Sequence, residues 1–520
     1  MITPLTPLEF GRRAFKLYPS RLAVIDGEYR ATYQTLAARV YQLARAVRAA
    51  GISPGDRVAV LAPNSHVMLE AFYGVPWAGA VMVPLNTRLN TEEYAYILEH
   101  SGTRLLIADS ELIEPLRGLL PGLEKVVIAG PTEPDWEHYE DWIEREDSSL
   151  LPLPDIDENA MITLNYTSGT TARPKGVMLT HRNTYINAVD FLLHMRMQTQ
   201  DRYLHVLPMF HANGWGDVWA VSAVGAVHSA LRKVAGSQLW EAIESQNITA
   251  LCGAPAVLNM LATTPHQPLN HPVRVATAGA PPPSRLIADL SAEHIEVIHV
   301  YGLTEVSPWI TISESLPEDD ELSAEARAEK MACQGVEQLL SGEVRVVRPD
   351  GTDVVSNGEE VGEIVCRGNV VMAGYYHQPE ETAKAMENGW FHTGDLAVVH
   401  PSGYVQIKDR SKDMIISGGE NISSVEVEDL LYRHPAVYEA AVVAVPDPQW
   451  GETPKAFIVT NPGQEVSSEE LRRFCRDHLT HYKVPSSFEF VDALPRTASG
   501  KIQKFVLRQP YWADRSSGVN

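Results

Sequence analysis

Residues 166–181 read YTSGTTARPKGVMLTH, and phosphate binding is the chemistry they could do. Gly169 lets backbone amides approach an anion, the Thr and Ser hydroxyls can donate to it, and Lys175 can neutralise its charge. The spacing does not fit the G-x-x-x-x-G-K-[ST] loop, because Gly176 follows Lys175. On residue types alone the stretch is either a different phosphate loop or a solvated connection between a strand and a hairpin. Other chemistries lack their signatures. The 18 histidines show no H-E-x-x-H spacing, no G-x-S-x-G elbow is present, and Cys252, Cys333, Cys366 and Cys475 form no C-x-x-C pair.

Further segments follow the loop in order: AGAPPP at 278–283, VYGLTE at 300–305, FHTGD at 391–395, KDRSKD at 408–413 and RTASGKIQK at 496–504. With TSGTTARPKG they resemble the motifs of the adenylate-forming superfamily of acyl-CoA synthetases, peptide-synthetase adenylation domains and luciferases. The resemblance covers essentially the whole chain, and Ala172 stands where the family motif usually has glycine. It implies an α/β fold, with a large multi-sheet N-terminal domain (1–408) and a small mobile α+β C-terminal domain (409–520). It also implies ATP-dependent activation of a carboxylic acid through an acyl-adenylate, then transfer to CoA. Such catalysis needs charge neutralisation and alignment more than a general base.

The resemblance carries roles onto matching positions. Thr167, Ser168, Gly169, Thr170, Thr171 and Lys175 would cradle the β- and γ-phosphates. Gly279, Ala280, Pro281, Tyr301 and Gly302 would surround adenine, and Thr304 would contact the α-phosphate. Glu305 would anchor Mg²⁺, which prefers carboxylate and phosphate oxygens. Asp395 and Arg410 would hold the ribose. Lys501 would bridge the α-phosphate and the acyl oxygen, after the small domain rotates about Lys412. Gly418 and Gly419 would line the CoA channel, where Ile416 replaces a lysine that some relatives carry before the loop.

The segment LPMFHANGWGDVWAVSAVG (207–225) bears on the acid. FHANGW resembles the FHxNxW pattern of fatty-acyl-CoA synthetases. That likeness puts His211 by the substrate carboxylate, with Trp215 as gate of an acyl pocket that Val300 also lines. Aromatic residues at such spacings also suit a plain core. Amino-acid-activating relatives carry an aspartate where this chain has His211. A medium- to long-chain fatty acid or another apolar acid is therefore the expected substrate. Competing readings are an adenylating enzyme with a non-CoA acceptor and a retired nucleotide-binding relative. No carrier module follows residue 504, and Glu305, Asp395 and Lys501 are present.

The elements that must position these residues alternate between helix and strand. TYQTLAARVYQLARAVRAAG reads as a helix, with Leu36, Val40, Leu43 and Val47 on one face, Thr32 as cap and Gly51 beyond its end. RVAVLAPNS, AVMVPLN, RLLIAD and KVVIAG read as buried strands. The stretches 131–159 and 316–330 read as solvated surface. Beyond residue 408 the pattern changes, with capping boxes expected at Ser423/Glu426 and Ser467/Glu470 and short strands between them.

The chain has 520 residues and a formal net charge of −23, which argues against nucleic-acid binding and docking on an anionic membrane. No stretch is long enough for stable membrane insertion. Four well-separated cysteines and no signal-type leader make the cytoplasm the expected compartment. A homodimer is the base-rate expectation for assembly.

Overall fold

The computed structural model describes residues 3–131, 136–167, 173–279, 282–496 and 502–512. Among them the strands form four sheets. The largest has nine strands. Leu22–Asp26, Val227–Ala230, Arg202–His205, Ala250–Gly253, Val273–Thr277 and Ile295–Tyr301 run parallel through it, and antiparallel strands close both edges. An eight-stranded sheet holds Arg57–Leu61, Val81–Pro84, Thr103–Asp109 and Lys125–Ala129 in parallel. Met161–Thr167 joins this sheet beside Val81–Pro84 and pairs antiparallel with Lys175–Thr180. Helices cover both faces, so the inner strands are apolar without alternation; Val58 to Leu61 are all fully buried.

Local signals explain where the helices begin. The helix Tyr33–Ala49 starts at Thr32, whose hydroxyl accepts from Thr35 N–H, and Gly51 beyond it has φ +81°. Two surface readings need correcting. Within 131–159, Tyr139–Glu144 is a helix whose Tyr139, Trp142 and Ile143 are buried. Their i, i+3, i+4 spacing makes an apolar stripe against the helix Tyr33–Ala49. Within 316–330, Ala324–Met331 is a helix that buries Ala328 and Met331, and Lys330 lies 2.6 Å from the buried Asp319.

A four-stranded antiparallel sheet contains Gly362–Arg367, Phe391–Val399 and Val405–Arg410. Residues 411–414 link it to a five-stranded sheet containing Ile415–Ser417. The strands expected to be short there form a long hairpin, Val437–Asp447 with Gly451–Thr460. Both capping boxes are half made. Ser423 and Ser467 accept from the N–H groups of Glu426 and Glu470, but Glu426 turns to Lys483 at 2.8 Å and Glu470 lies 3.9 Å from His434. The four cysteines are all buried and unpaired, and no helix among the described residues is long and apolar enough to cross a membrane.

A buried polar cluster ties the linking strand to the five-stranded sheet's helices. Ser424 donates to Asp409 Oδ2 through its N–H (2.7 Å) and its hydroxyl (2.6 Å). Lys504 Nζ reaches Ser424 Oγ at 2.6 Å and Glu428 Oε1 at 2.7 Å. Burial pushes the Glu428 carboxyl from 4.5 up to about 7, against the pull of Lys504. The folded protein therefore holds an extra proton between those two values, and stability falls as pH rises through that window. The difference corresponds to roughly 3 kcal/mol. The urea midpoint of this unit is expected to drop between pH 5 and pH 8, and Glu428→Gln should flatten that slope; an unchanged slope in the variant would reject the assignment.

Candidate functional site

The parallel strands deliver the candidate residues at their C-terminal ends, the usual ligand edge of such sheets. Val273–Thr277 leads to Gly279, at φ +97°, and Ile295–Tyr301 leads into Gly302, Leu303, Thr304 and Glu305. Gly302 must be glycine, because a Cβ there would stand 1.8 Å from the Pro308 carbonyl oxygen. Thr304 is buried at the start of a one-turn helix. Ser168, Gly169, Thr170, Thr171, Ala280, Pro281 and Lys501 lie outside the described residues.

Two groups of side chains form around this edge. In the first, the Tyr301 hydroxyl donates to Asp395 Oδ2 at 2.7 Å, and Arg410 Nε lies 3.1 Å from Asp395 Oδ1. Asp395 and Arg410 are register partners in the four-stranded sheet, so backbone pairing sets their approach. Burial, then the Asp395 charge, pushes the Tyr301 phenol well above its usual range. Burial opposes the Arg410 charge, but Asp395, Tyr301, Asp413 and Glu305 outweigh it and raise its pKa.

In the second group, Tyr375 donates to Glu305 Oε1 at 3.0 Å. Lys175 Nζ lies 4.7 Å over the Tyr375 ring and 2.7 Å from Glu381 Oε2. Both flanks of 168–172 are tied down. Tyr166 Oη and His100 Nδ1 are 2.8 Å apart, and the Arg173 guanidinium lies 5.3 Å over the Tyr96 ring.

The FHANGW segment has a backbone that sequence does not announce. Ala212, Asn213, Gly214 and Trp215 all take left-handed angles, with φ from 46° to 60°, and Gly216 follows at 87°. A left-handed run is costly for residues with a Cβ. Buried hydrogen bonds hold it. Thr163 donates to Asn165 Oδ1 (2.8 Å), Asn165 to Asn213 Oδ1 (2.9 Å), and Asn213 Nδ2 to Thr163 Oγ (2.8 Å). Asn64 adds support, donating to the His205 and Leu207 carbonyls and accepting from Met209 N–H. Glycine is required at 216, where a Cβ would fall 2.1 Å from Asn187 Oδ1.

This turn brings the expected acid-side residues together in part. Trp215 is buried edge-on to Trp309, with ring centroids 5.8 Å apart, and it shares one apolar cluster with Val300. His211 sits half-buried at the start of the turn. The elements on either side of the turn carry a fully buried polar chain: His205 Nδ1 is 3.4 Å from Asp217 Oδ1, His205 Nε2 is 2.9 Å from His228 Nδ1, and His228 Nε2 is 2.8 Å from Ser222 Oγ. Gly418 and Gly419 form the turn between Ile415–Ser417 and Glu420–Ile422 of the five-stranded sheet. A Cβ on Gly418 would meet the exposed Trp450 ring at 2.8 Å. Lys412 accepts a 2.6 Å hydrogen bond from Arg508 at its carbonyl, and burial and Arg410 hold its ammonium pKa low.

Sequence reasoning missed Thr163, Asn165, Asn213, Tyr375 and Glu381. A signal existed for the strand pair: Thr163 and Asn165 alternate with apolar residues, so two polar groups share one buried face. None existed for Tyr375 or Glu381, whose contacts depend on pairing of Gly374–Tyr375 with Val177 and Met178.

Residues 11–376 match the family described as AMP-binding enzyme, and residues 426–501 match the AMP-binding enzyme C-terminal domain. A 2-methylpropanoate–CoA ligase from Humulus lupulus is 41% identical over 97% of this chain and 95% of its own. A peroxisomal acetate/butyrate–CoA ligase from Arabidopsis thaliana is 41% identical over 97% of this chain and 94% of its own. The crystal structure of an anthranilate CoA ligase in complex with anthranoyl-AMP superposes with a TM-score of 0.87 at 27% identity, covering 98% of each chain.

Asn213→Ala removes both amide contacts and leaves a Cβ residue in the left-handed region. It is expected to cost about 2–4 kcal/mol of stability. Urea unfolding checks this, and a loss below 1 kcal/mol would show that the hydrogen-bonded ring does not hold the turn.

Proposed function

The chain belongs to the AMP-binding enzyme family as an AMP-forming acid–thiol ligase, and from that premise we propose that it joins an apolar monocarboxylic acid to CoA. The observation that carries the site assignment is the meeting of Tyr301, Asp395 and Arg410 beside Glu305 and Lys175.

Asp395 accepts from Tyr301 on one carboxylate oxygen, faces the Arg410 guanidinium with the other, and retains lone pairs for the two ribose hydroxyls. Gly279, Ala280 and Pro281 line the adenine, and Tyr301 flanks it. Thr167, Ser168, Gly169, Thr170, Thr171 and Lys175 hold the β- and γ-phosphates, and Thr304 contacts the α-phosphate. Glu305 fits Mg²⁺ as a single carboxylate ligand, since that ion keeps waters and phosphate oxygens as its remaining ligands. When bound, Mg²⁺ neutralises polyphosphate charge.

The acid's carboxylate oxygen attacks the α-phosphorus, forming the acyl–phosphate bond as pyrophosphate leaves. Lys501 bridges the α-phosphate and acyl oxygen during that step, and His211 orients the carboxylate. The CoA sulfur then attacks the acyl carbon; AMP leaves and the thiol proton passes to solvent. Residues 409–520 form the moving unit with Lys412 as pivot, because 411–414 join strands of two different sheets. Gly418 and Gly419 border the pantetheine path.

Trp215, closed against Trp309, supports a compact apolar acid. The relatives named for 2-methylpropanoate and for acetate and butyrate support the same reading. A long chain would require Trp215 to swing away. Four buried, unpaired cysteines support a reducing compartment, and we read it as the cytoplasm.

Acid-dependent ATP–pyrophosphate exchange tests the proposal. Exchange is expected with short branched or aryl acids and without CoA, and CoA addition should yield the thioester. Strong exchange with only long-chain or amino acids would overturn the substrate reading. Lys501→Ala should lower exchange by about 10²–10³-fold, while leaving thioester formation from supplied acyl-adenylate intact. Near-normal exchange in that variant would remove Lys501 from the chemistry.

A further inference from the structure

Lys175 closes the phosphate loop with its ammonium already engaged. Glu381 Oε2 lies 2.7 Å from Nζ, and the Tyr375 ring lies 4.7 Å below it. This is no chance meeting of two long side chains. Gly374–Tyr375 pairs antiparallel with Val177 and Met178 on the strand that begins at Lys175. Tyr376 N–H donates to the Gly176 carbonyl at 2.8 Å, and Tyr375 N–H donates to Thr382 Oγ at 2.9 Å. The backbone therefore carries the first turn of Pro379–Ala385, where Glu381 sits, to Lys175.

Glu381 also holds a second cation. Its Oε1 lies 2.9 Å from Lys384 Nζ. The two lysines hold the carboxyl down at about 2, so it is ionised at any working pH. When Lys175 leaves, Lys384 remains, and the carboxylate is not stranded. A carboxylate pinned to the loop lysine takes the place that a polyphosphate oxygen would take.

We propose that Glu381 is an intramolecular stand-in for polyphosphate, which occupies Lys175 between turnovers, yields it to ATP and recaptures it as pyrophosphate leaves. The proposal rests on reading Lys175 as a phosphate ligand. Glu381 is thus a positioning residue that acts through Lys175. Its effect is a tuning of affinity and no block. The side chains of Lys175 and Glu381 are 21% and 37% exposed, so water screens the pair. Apparent ATP affinity equals the intrinsic affinity multiplied by the fraction of molecules in which Lys175 is disengaged.

The test uses the purified full chain with Mg²⁺ and ATP. Glu381→Gln is expected to tighten ATP binding by about two- to five-fold, the range typical of exposed ion pairs. The inhibition constant of pyrophosphate should fall by the same factor, with the KM for the acid unchanged. Glu381→Asp should restore part of the wild-type affinity. In a Lys175→Ala background, Glu381→Gln should change nothing. Unchanged or weaker ATP binding in Glu381→Gln overturns the proposal. So does a gain that persists without Lys175, which would trace to Lys384 or to overall charge. The Lys175→Ala variant alone reports on the underlying reading: if it binds ATP as the wild type does, Lys175 is not a phosphate ligand, and the stand-in falls with it.

Discussion

Asp395 is the point at which separate parts of the molecule become one site. Its carboxylate accepts from Tyr301, at the end of a strand in the nine-stranded sheet, and faces Arg410, on the strand that leads into the link. A buried carboxylate without such partners would cost several kcal/mol. The Tyr301 contact therefore ties the four-stranded sheet to the larger one, while Arg410 braces Asp395 from within its own sheet. Everything proposed for the nucleotide depends on that placement.

The wider electrostatic arrangement follows the same logic. A chain with a formal charge of −23 has to make a local place for ATP and for an acid. It does so with few cations, each held by an anion or an aromatic ring: Arg410 by Asp395, Lys175 by Glu381 and Tyr375, Arg173 by Tyr96. Held this way, a cation keeps its position and loses little freedom when a ligand replaces its partner. The neutral ring under Lys175 attracts it without competing for a phosphate's hydrogen bonds.

Much of this was legible in the sequence where local chemistry decides local structure. Thr32 and Gly51 bracket their helix, and the apolar runs at 57–61 and 103–109 became buried parallel strands. The ordered motifs identified the family and the chemistry. Legibility ended where tertiary contact overrides local preference. Nothing in Ala212 or Trp215 favours a left-handed backbone; the hydrogen-bonded ring of Thr163, Asn165 and Asn213 imposes it. Ser423 with Glu426 spells a full capping box, yet Lys483, distant in sequence, claims the glutamate. The stretch at 316–330 is so acidic that it reads as solvated, but Asp319 is buried because Lys330 lies beside it.

The cysteines have a practical consequence. Cys252, Cys333, Cys366 and Cys475 are at most 8% exposed, and burial raises the pKa of each thiol. A thiol that is both inaccessible and protonated reacts slowly with electrophiles. The native chain therefore offers a quiet background for site-directed spectroscopy. One cysteine introduced on the exposed face of each unit, on either side of residues 411–414, could carry a dye pair without removal of the native four. The distance between the dyes would report whether the smaller unit swings during turnover as proposed, in the intact enzyme.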